Sequence, residues 1–398
     1  MTSIASPASG RIDGVDMLRG LAIFFVLMNH VNIRLLLARV PYTDGLPNQL
    51  VSSLVWNGQL GVQIFFAISG FLITSTTIRR WGSLSRVSVR GFYLMRFARI
   101  APLLLLLLAV LSVLHIAHFK NFVVSSKTGG LAQALFAALT FHVNVLEAKR
   151  GYLPGNWDIL WSLSVEEVFY FFFPIILRLF GRGKILIVLL LGFVALGPFA
   201  RTVLSHGNEI WKEYSYLGGM DAIALGCLTA LLVSRFRFWR LILGIFGSLG
   251  LALLAFSLGF SLRAETWGLD RIGLDMTILA VGTCMIVATV TQSEWKRARV
   301  MYPLLNLGQR SYEVYLTHMF VIFAVFQLFV LAGKPIGAVL PLFIVVIVIA
   351  GLLGDAVARF YSEPLNRAIR DRLGNRPNTS GLLVEADTNT HRKADPGD

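Results

Sequence analysis

The sequence predicts an all-α protein, a polytopic transmembrane helix bundle of about ten spans with its N-terminus and C-terminus cytoplasmic. Three observations predict it. Of the 398 residues, 56% are hydrophobic and only 15% charged, and the mean hydropathy is +0.69. Apolar runs long enough to cross a hydrocarbon core of about 30 Å recur along the whole chain. The net charge of +14 gathers in short Arg and Lys segments between those runs. That pattern marks cytoplasmic loops and does not build a nucleic-acid-binding face.

Residues 1–13 are polar and lack the basic start of a signal peptide, so the first apolar run reads as an uncleaved span behind a cytoplasmic N-terminus. Spans follow at 15–37, 55–78, 100–117, 157–180, 184–199, 214–234, 239–259, 271–291, 306–331 and 336–358. A shorter apolar stretch at 129–146 carries His142 and Asn144, and parity decides its place. An even number of crossings keeps Arg79, Arg80, Arg86, Arg90, Arg96 and Arg99 inside, together with the basic loops 178–184, 235–240 and 294–299 and the Arg-rich segment from Arg359. Stretch 129–146 is therefore expected to be interfacial or re-entrant on the outer side. No loop is long enough for a soluble domain, and 373–398 reads as a disordered cytoplasmic tail. Cys227 and Cys284 lie in apolar runs without metal-ligand or redox spacing, and no metal is expected.

The other spans are organised around the first, RIDGVDMLRGLAIFFVLMNHVNIRLLL. Asp16 and Arg19 sit near its start, and Asn29 and His30 deep inside it. Ionisable groups within a span mark, by default, a site facing the bundle interior. Arg19 and His30 are eleven residues apart, hence on nearly one face and roughly 16 Å apart along the axis. In the fourth span, NWDILWSLSVEEVFYFFFP, Ser162, Glu166 and Tyr170 share a face, with Trp161 beside them. Glu166 is expected to point inward, with Glu167 the second choice. A carboxylate against His30 is a reasonable general-base arrangement; a histidine satisfied between helices is the bland reading.

In the second span Ser69 and Gly70 thin the helix, either for close packing or beside a bound ligand. Arg96 and Arg99, at i, i+3 in LMRFARIAP, suit bidentate recognition of phosphate at the membrane surface. Asp221 stands where it can hold a partner arginine or an acceptor hydroxyl, or simply charge a helix N-terminus. His318 shares a face with Tyr315. Together these residues suggest a phosphate-bearing donor docked inside against Arg96 and Arg99, beside Ser69 and Gly70. Its extended, pantetheine-like arm would run along the first helix to His30. The acceptor would arrive from the outer side, toward Trp161, Tyr170, Asp221 and His318. A proton-coupled transporter or flippase relaying protons through His30, Glu166 and His318 is the competing class. Against it, no pair of corresponding interrupted helices is visible.

The blocks DMLRGLAIFFVLMNH, GVQIFFAISGFLI, RFARIAP, WSLSVEEVFY, MDAIALGCL, LGQRSYEVYLTH and SEPLNR, in this order, resemble the acyltransferase-3 family of bacterial membrane O-acyltransferases. The resemblance implies an acyltransferase-3 membrane domain over 14–372. It also implies transfer of an acyl group, usually acetyl, from cytoplasmic acyl-CoA to a hydroxyl of an extracytoplasmic carbohydrate or glycosylated acceptor, in the inner membrane. Arg19 and His30 match the family's essential pair, Arg96 and Arg99 its donor-side arginines, and Glu166 its carboxylate. His30 is then expected to act as general base, with Glu166 orienting it and Arg19 or a helix dipole steadying negative charge. Two departures stand out. Met220 replaces an arginine that many relatives carry before the aspartate, which puts a role for Asp221 in doubt. No SGNH-type hydrolase domain follows, so the membrane domain is expected to act alone or with another protein.

Overall fold

The computed structural model describes residues 12–260, 265–293 and 299–374. The expected polar N-terminus, most of the 294–299 loop and most of the 373–398 tail lie outside the described residues. Among the described residues every regular element is helical, as a bilayer requires when each backbone amide must be satisfied within its own segment. The first helices are α1 (Asp13–Leu37), α2 (Asn48–Val55), α3 (Gly58–Trp81) and α4 (Val89–Ile116). Next come α5 (Gly130–Leu139), α6 (Val143–Arg150), α7 (Gly155–Asp158), α8 (Leu160–Phe180) and α9 (Ile185–Thr202). They are followed by α10 (Glu209–Tyr214), α11 (Tyr216–Arg235), α12 (Arg240–Gly259) and α13 (Asp275–Gln292). The chain continues through α14 (Tyr302–Gln309), α15 (Ser311–Leu331), α16 (Val339–Val357) and α17 (Glu363–Gly374).

Among the described residues ten segments are long and apolar enough to cross a membrane, and 130–139 is too short. At about 1.5 Å per residue its ten residues reach only about half of a 30 Å core. Three boundaries differ from the expectation, each for a local reason. Helix α4 begins eleven residues before the expected 100, because Ser88 caps it by accepting from the Gly91 amide, and it runs through Pro102. Arg96 and Arg99 therefore stand on a span and not on a loop before it. The ninth span breaks at Arg310, so that α14 crosses α1 before α15 begins. The tenth continues through a π-helical turn at Ala358–Ser362 into α17, which packs on α4.

α1 sits centrally, touching α3, α13, α14 and α15. Two seams around it have backbone against backbone. A Cβ added at Gly308 of α14 would collide with the Asp16 carbonyl, and one at Gly20 with the Leu304 carbonyl. The α3–α11 seam is built the same way from Gly70 and Gly226. Lipid-facing positions such as Val188, Leu241, Leu340 and Leu352 are exposed, as expected where the surroundings are hydrocarbon.

Candidate active site

A cavity of about 460 Å³ opens between α1, α3, α4, α8, α14, α15 and α17. Its lining gathers Arg19, Ser69, Arg96, Arg99, Glu166 and Tyr170, six residues singled out from four different spans. Ser162 joins Glu166 and Tyr170 on the same wall, the shared helix face that their spacing predicts. The arginines are held by carboxylates. Arg96 Nη2 donates to Glu167 Oε1 at 2.8 Å and its guanidinium lies over the Tyr170 ring at 3.8 Å. Arg99 donates to the buried Glu313 at 3.2 Å, and Arg19 to Asp16 at 3.4 Å. The Tyr170 hydroxyl donates to Ser69 Oγ at 2.6 Å, and Ser69 in turn hydrogen-bonds Glu166. Both carboxyls of the Glu166–Glu167 pair thus address the same arginine neighbourhood from one helix.

His30 lies beyond this cavity, two rings away. Tyr315 lines the cavity, anchored by its hydroxyl to Ser162 Oγ at 2.7 Å and to the Ile159 carbonyl at 2.9 Å. Its ring centroid is 5.8 Å from that of His318, which meets His30 edge to face at 5.0 Å. His30 Nδ1 is 2.8 Å from the Val26 carbonyl and His318 Nδ1 is 2.6 Å from the Tyr315 carbonyl. A carbonyl only accepts, so each Nδ1 carries the proton and donates it. In the neutral ring that leaves each Nε2 as a proton acceptor. His318 Nε2 is buried with no hydrogen-bond partner.

One sequence expectation is corrected by this geometry, at Glu166, and at Gly70 and Asp221 it realises one of the two alternatives that the sequence left open. Glu166 does not stand by His30: its partners are Ser69, Arg96 and Arg19, whereas those of His30 are Val26, His318 and Arg34. Gly70 turns away from the cavity and packs on the Ile223 backbone of α11, since neighbouring positions on a helix point about 100° apart. Asp221 is sealed. Its Oδ1 accepts from Gln63 at 2.9 Å and from the Ala222 amide at 2.7 Å, and its Oδ2 accepts from Arg201 at 2.8 Å and Thr277 at 2.7 Å. Met220 stands where an arginine was expected, and the guanidinium beside the aspartate comes from Arg201 at the end of α9.

Trp161 is likewise packed, stacked on Tyr214 at 4.0 Å and edge-on to Phe66 at 6.1 Å. Around it lies a polar cluster that sequence reasoning missed. Arg34 lies over Phe323 at 4.6 Å and interacts with Asp158, whose carboxylate accepts from Tyr214 at 3.2 Å. Glu147 accepts from the Leu153 amide at 3.0 Å. Burial first, and the Asp158 charge second, raise the Glu147 carboxyl well above the ordinary range. Two signals were available: Arg34 falls one turn after His30, and Asp158 stands just ahead of WSLSVEE.

The comparisons with known proteins agree with this architecture. The family described as "Acyltransferase domain", the acyltransferase-3 family, matches residues 12–355. The O-acetyltransferase OatA of Staphylococcus aureus strain NCTC 8325 is 23% identical over 369 residues, covering 89% of this chain and 57% of OatA. A protein of Staphylococcus aureus strain COL, provisionally named an O-acetyltransferase, is 25% identical over 345 residues, covering 82% of this chain and 53% of its own. The chain thus spans little more than half the length of these curated relatives. No solved structure matches it. The match takes in nine of the ten spans whole and nearly all of α16, along with most of the cavity-lining residues, and the chain belongs to the acyltransferase-3 family of membrane acyltransferases.

Proposed function

We propose that this chain is an integral inner-membrane O-acyltransferase. It moves an acyl group, acetyl in the first instance, from cytoplasmic acyl-CoA to a hydroxyl of a carbohydrate or glycosylated acceptor on the outer side. The observation that carries the reading is the arginine-lined cavity, behind whose Tyr315 wall His318 and His30 meet ring to ring, each with Nδ1 tied to a carbonyl and Nε2 left as the acceptor. A volume of about 460 Å³ falls in the range of small-molecule sites, about 300–1,000 Å³. It suits an acyl-pantetheine arm, with the nucleotide left at the basic, cytoplasmic mouth where both termini lie in this orientation.

Acyl-CoA, as the donor substrate, supplies the activated thioester. His30 Nε2 takes the acceptor hydroxyl proton as the oxygen–carbonyl bond forms and the carbon–sulfur bond breaks, and the proton leaves with the thiol. The Val26 carbonyl fixes the tautomer and the ring plane. Arg19, roughly 16 Å away along α1, is too far to steady charge at His30 and serves the donor instead. Glu166 orders Arg96 and Arg19 through its charge. Tyr315 and His318 must shift for the thioester to reach His30.

The test compares ester-linked acyl groups on envelope and secreted glycans, by mass spectrometry, in a strain lacking the gene and complemented with wild type or His30→Gln at equal membrane levels. Wild type is expected to restore an acyl ester and His30→Gln to lose it by about 10²–10⁴-fold. Equal restoration by both removes His30 from the mechanism. If neither changes any ester while an unmodified metabolite builds up on one side of the membrane, transport replaces acyl transfer.

A further inference from the structure

The cavity has a fourth arginine. Asn366 and Arg370 of α17 line it together with Trp81, the last residue of α3, and Gln309 of α14. Trp81 and Gln309 end their helices, and Asn366 and Arg370 lie in the helix that follows the last span, at the face of the bundle where α4 begins. They therefore surround the mouth and not the floor. α17 follows the last span and reads from sequence as a basic tail. Its position is set by specific contacts. Arg310 pairs with Glu363 at the first turn of α17 and with Asp355 of α16 at 3.1 Å. Arg359 in the π-helical turn pairs with Asp355 at 2.7 Å, and the Tyr361 hydroxyl donates to the Pro102 carbonyl of α4 at 3.1 Å. The tenth span continues through this turn into α17, which packs on α4.

The charges along the cavity are unequally disposed. Arg19, Arg96 and Arg99 each already face a carboxylate. Among the described residues Arg370 has no carboxylate within ion-pair distance, and it is exposed at the mouth. Its helix neighbour Arg367 is tied to Glu363 at 3.5 Å and does not line the cavity. A donor whose arm fills the interior must leave its phosphorylated nucleotide at this mouth, next to Arg370, which among the described cavity-lining arginines lacks a carboxylate partner. We propose that α17 is part of the donor site, and that Arg370, assisted by Asn366, binds a phosphate of the CoA nucleotide.

This rests on the acyl-CoA reading of the cavity, and the test separates the two. Binding of CoA and of pantetheine to the purified, detergent-solubilised full chain is measured by calorimetry for wild type, Arg370→Ala, Arg370→Lys and Arg367→Ala. Arg370→Ala is expected to weaken CoA about tenfold, the loss of one charge-assisted contact. Pantetheine, which lacks the nucleotide, should bind the variant as it binds wild type, and Arg370→Lys should recover part of the loss. Arg367→Ala should bind both as wild type does. Unchanged CoA affinity in Arg370→Ala, with wild type binding CoA, overturns the role of Arg370 and leaves the donor reading standing. An equal loss in Arg367→Ala overturns it too, because bulk charge then explains the effect. If wild type binds neither ligand, the donor reading itself falls.

Discussion

Two Arg–carboxylate pairs in this bundle have nearly the same geometry and opposite surroundings. Arg201 and Asp221 meet at 2.8 Å with side chains 2% and 0% exposed. Arg201 also donates to the Gly218 and Gly273 carbonyls and to Thr277, while Asp221 takes Gln63, Thr277 and its own helix amide. Arg96 and Glu167 also meet at 2.8 Å, but they are 23% and 11% exposed, and Arg96 borders a cavity with its remaining face on Tyr170. The first pair is saturated by protein and has nothing left for a ligand. The second has one protein carboxylate and room for more oxygen acceptors. Proximity of opposite charges therefore does not identify a site here; unused hydrogen-bonding capacity facing a void does.

The largest effect should come from breaking the sealed pair. Arg201→Ala leaves the Asp221 charge buried and uncompensated, a loss of about 3–5 kcal/mol. Folded protein should then nearly vanish from size-exclusion profiles of solubilised membranes. The double variant Arg201→Met, Asp221→Leu removes both charges and should recover folding together with acyl transfer. If it folds but is inactive, Asp221 has a role beyond structure. A middle-sized effect is expected at the open pair. Arg96→Lys keeps a charge facing Glu167 but loses the planar fork over Tyr170. CoA affinity should fall about tenfold while the thermal midpoint barely moves. A large drop in midpoint with intact affinity would assign Arg96 to the scaffold.

The smallest effect concerns Glu147, a buried carboxyl facing Asp158 instead of an arginine. Its raised pKa means that the folded chain holds the proton more tightly than the unfolded one. The associated stability is present at low pH and is lost as pH climbs from the usual carboxylate value toward the raised one. For one proton the slope cannot exceed about 1.4 kcal/mol per pH unit. Thermal midpoints of wild type should fall between pH 5 and pH 8, and Glu147→Gln should flatten that fall. Identical slopes in both proteins would mean that Glu147 titrates normally.

Hydropathy made the spans legible because a bilayer leaves few alternatives to a long apolar helix. It misplaced the start of α4 because Arg96 and Arg99 weigh against an apolar window although the helix runs straight through them. Residues on one helix were readable as a face, and Ser162, Glu166 and Tyr170 do line one wall. Pairings between distant segments were not. Nothing near Met220 announces that Arg201 will serve Asp221, and nothing near His30 shows that its ring neighbour is His318 and not Glu166. Arg370 was hidden differently. It follows the last apolar run, where composition reads as tail, and only the packing of α17 on α4 shows that it borders the cavity.

The glycine seams have a mechanical consequence. Where α1 meets α14 and α3 meets α11, main chain touches main chain, and no layer of side chains lies between to be compressed. The opposite wall, from α4, α8 and α15, is packed through large rings such as Phe92, Tyr170 and Tyr312, which can tilt and shift. Lateral pressure from the lipid, or a bilayer of different thickness, therefore acts on one compliant wall and one stiff wall. The stretch from Arg19 to His30 belongs to the stiff one, so the separation of these two side chains is insulated from the composition of the membrane around it.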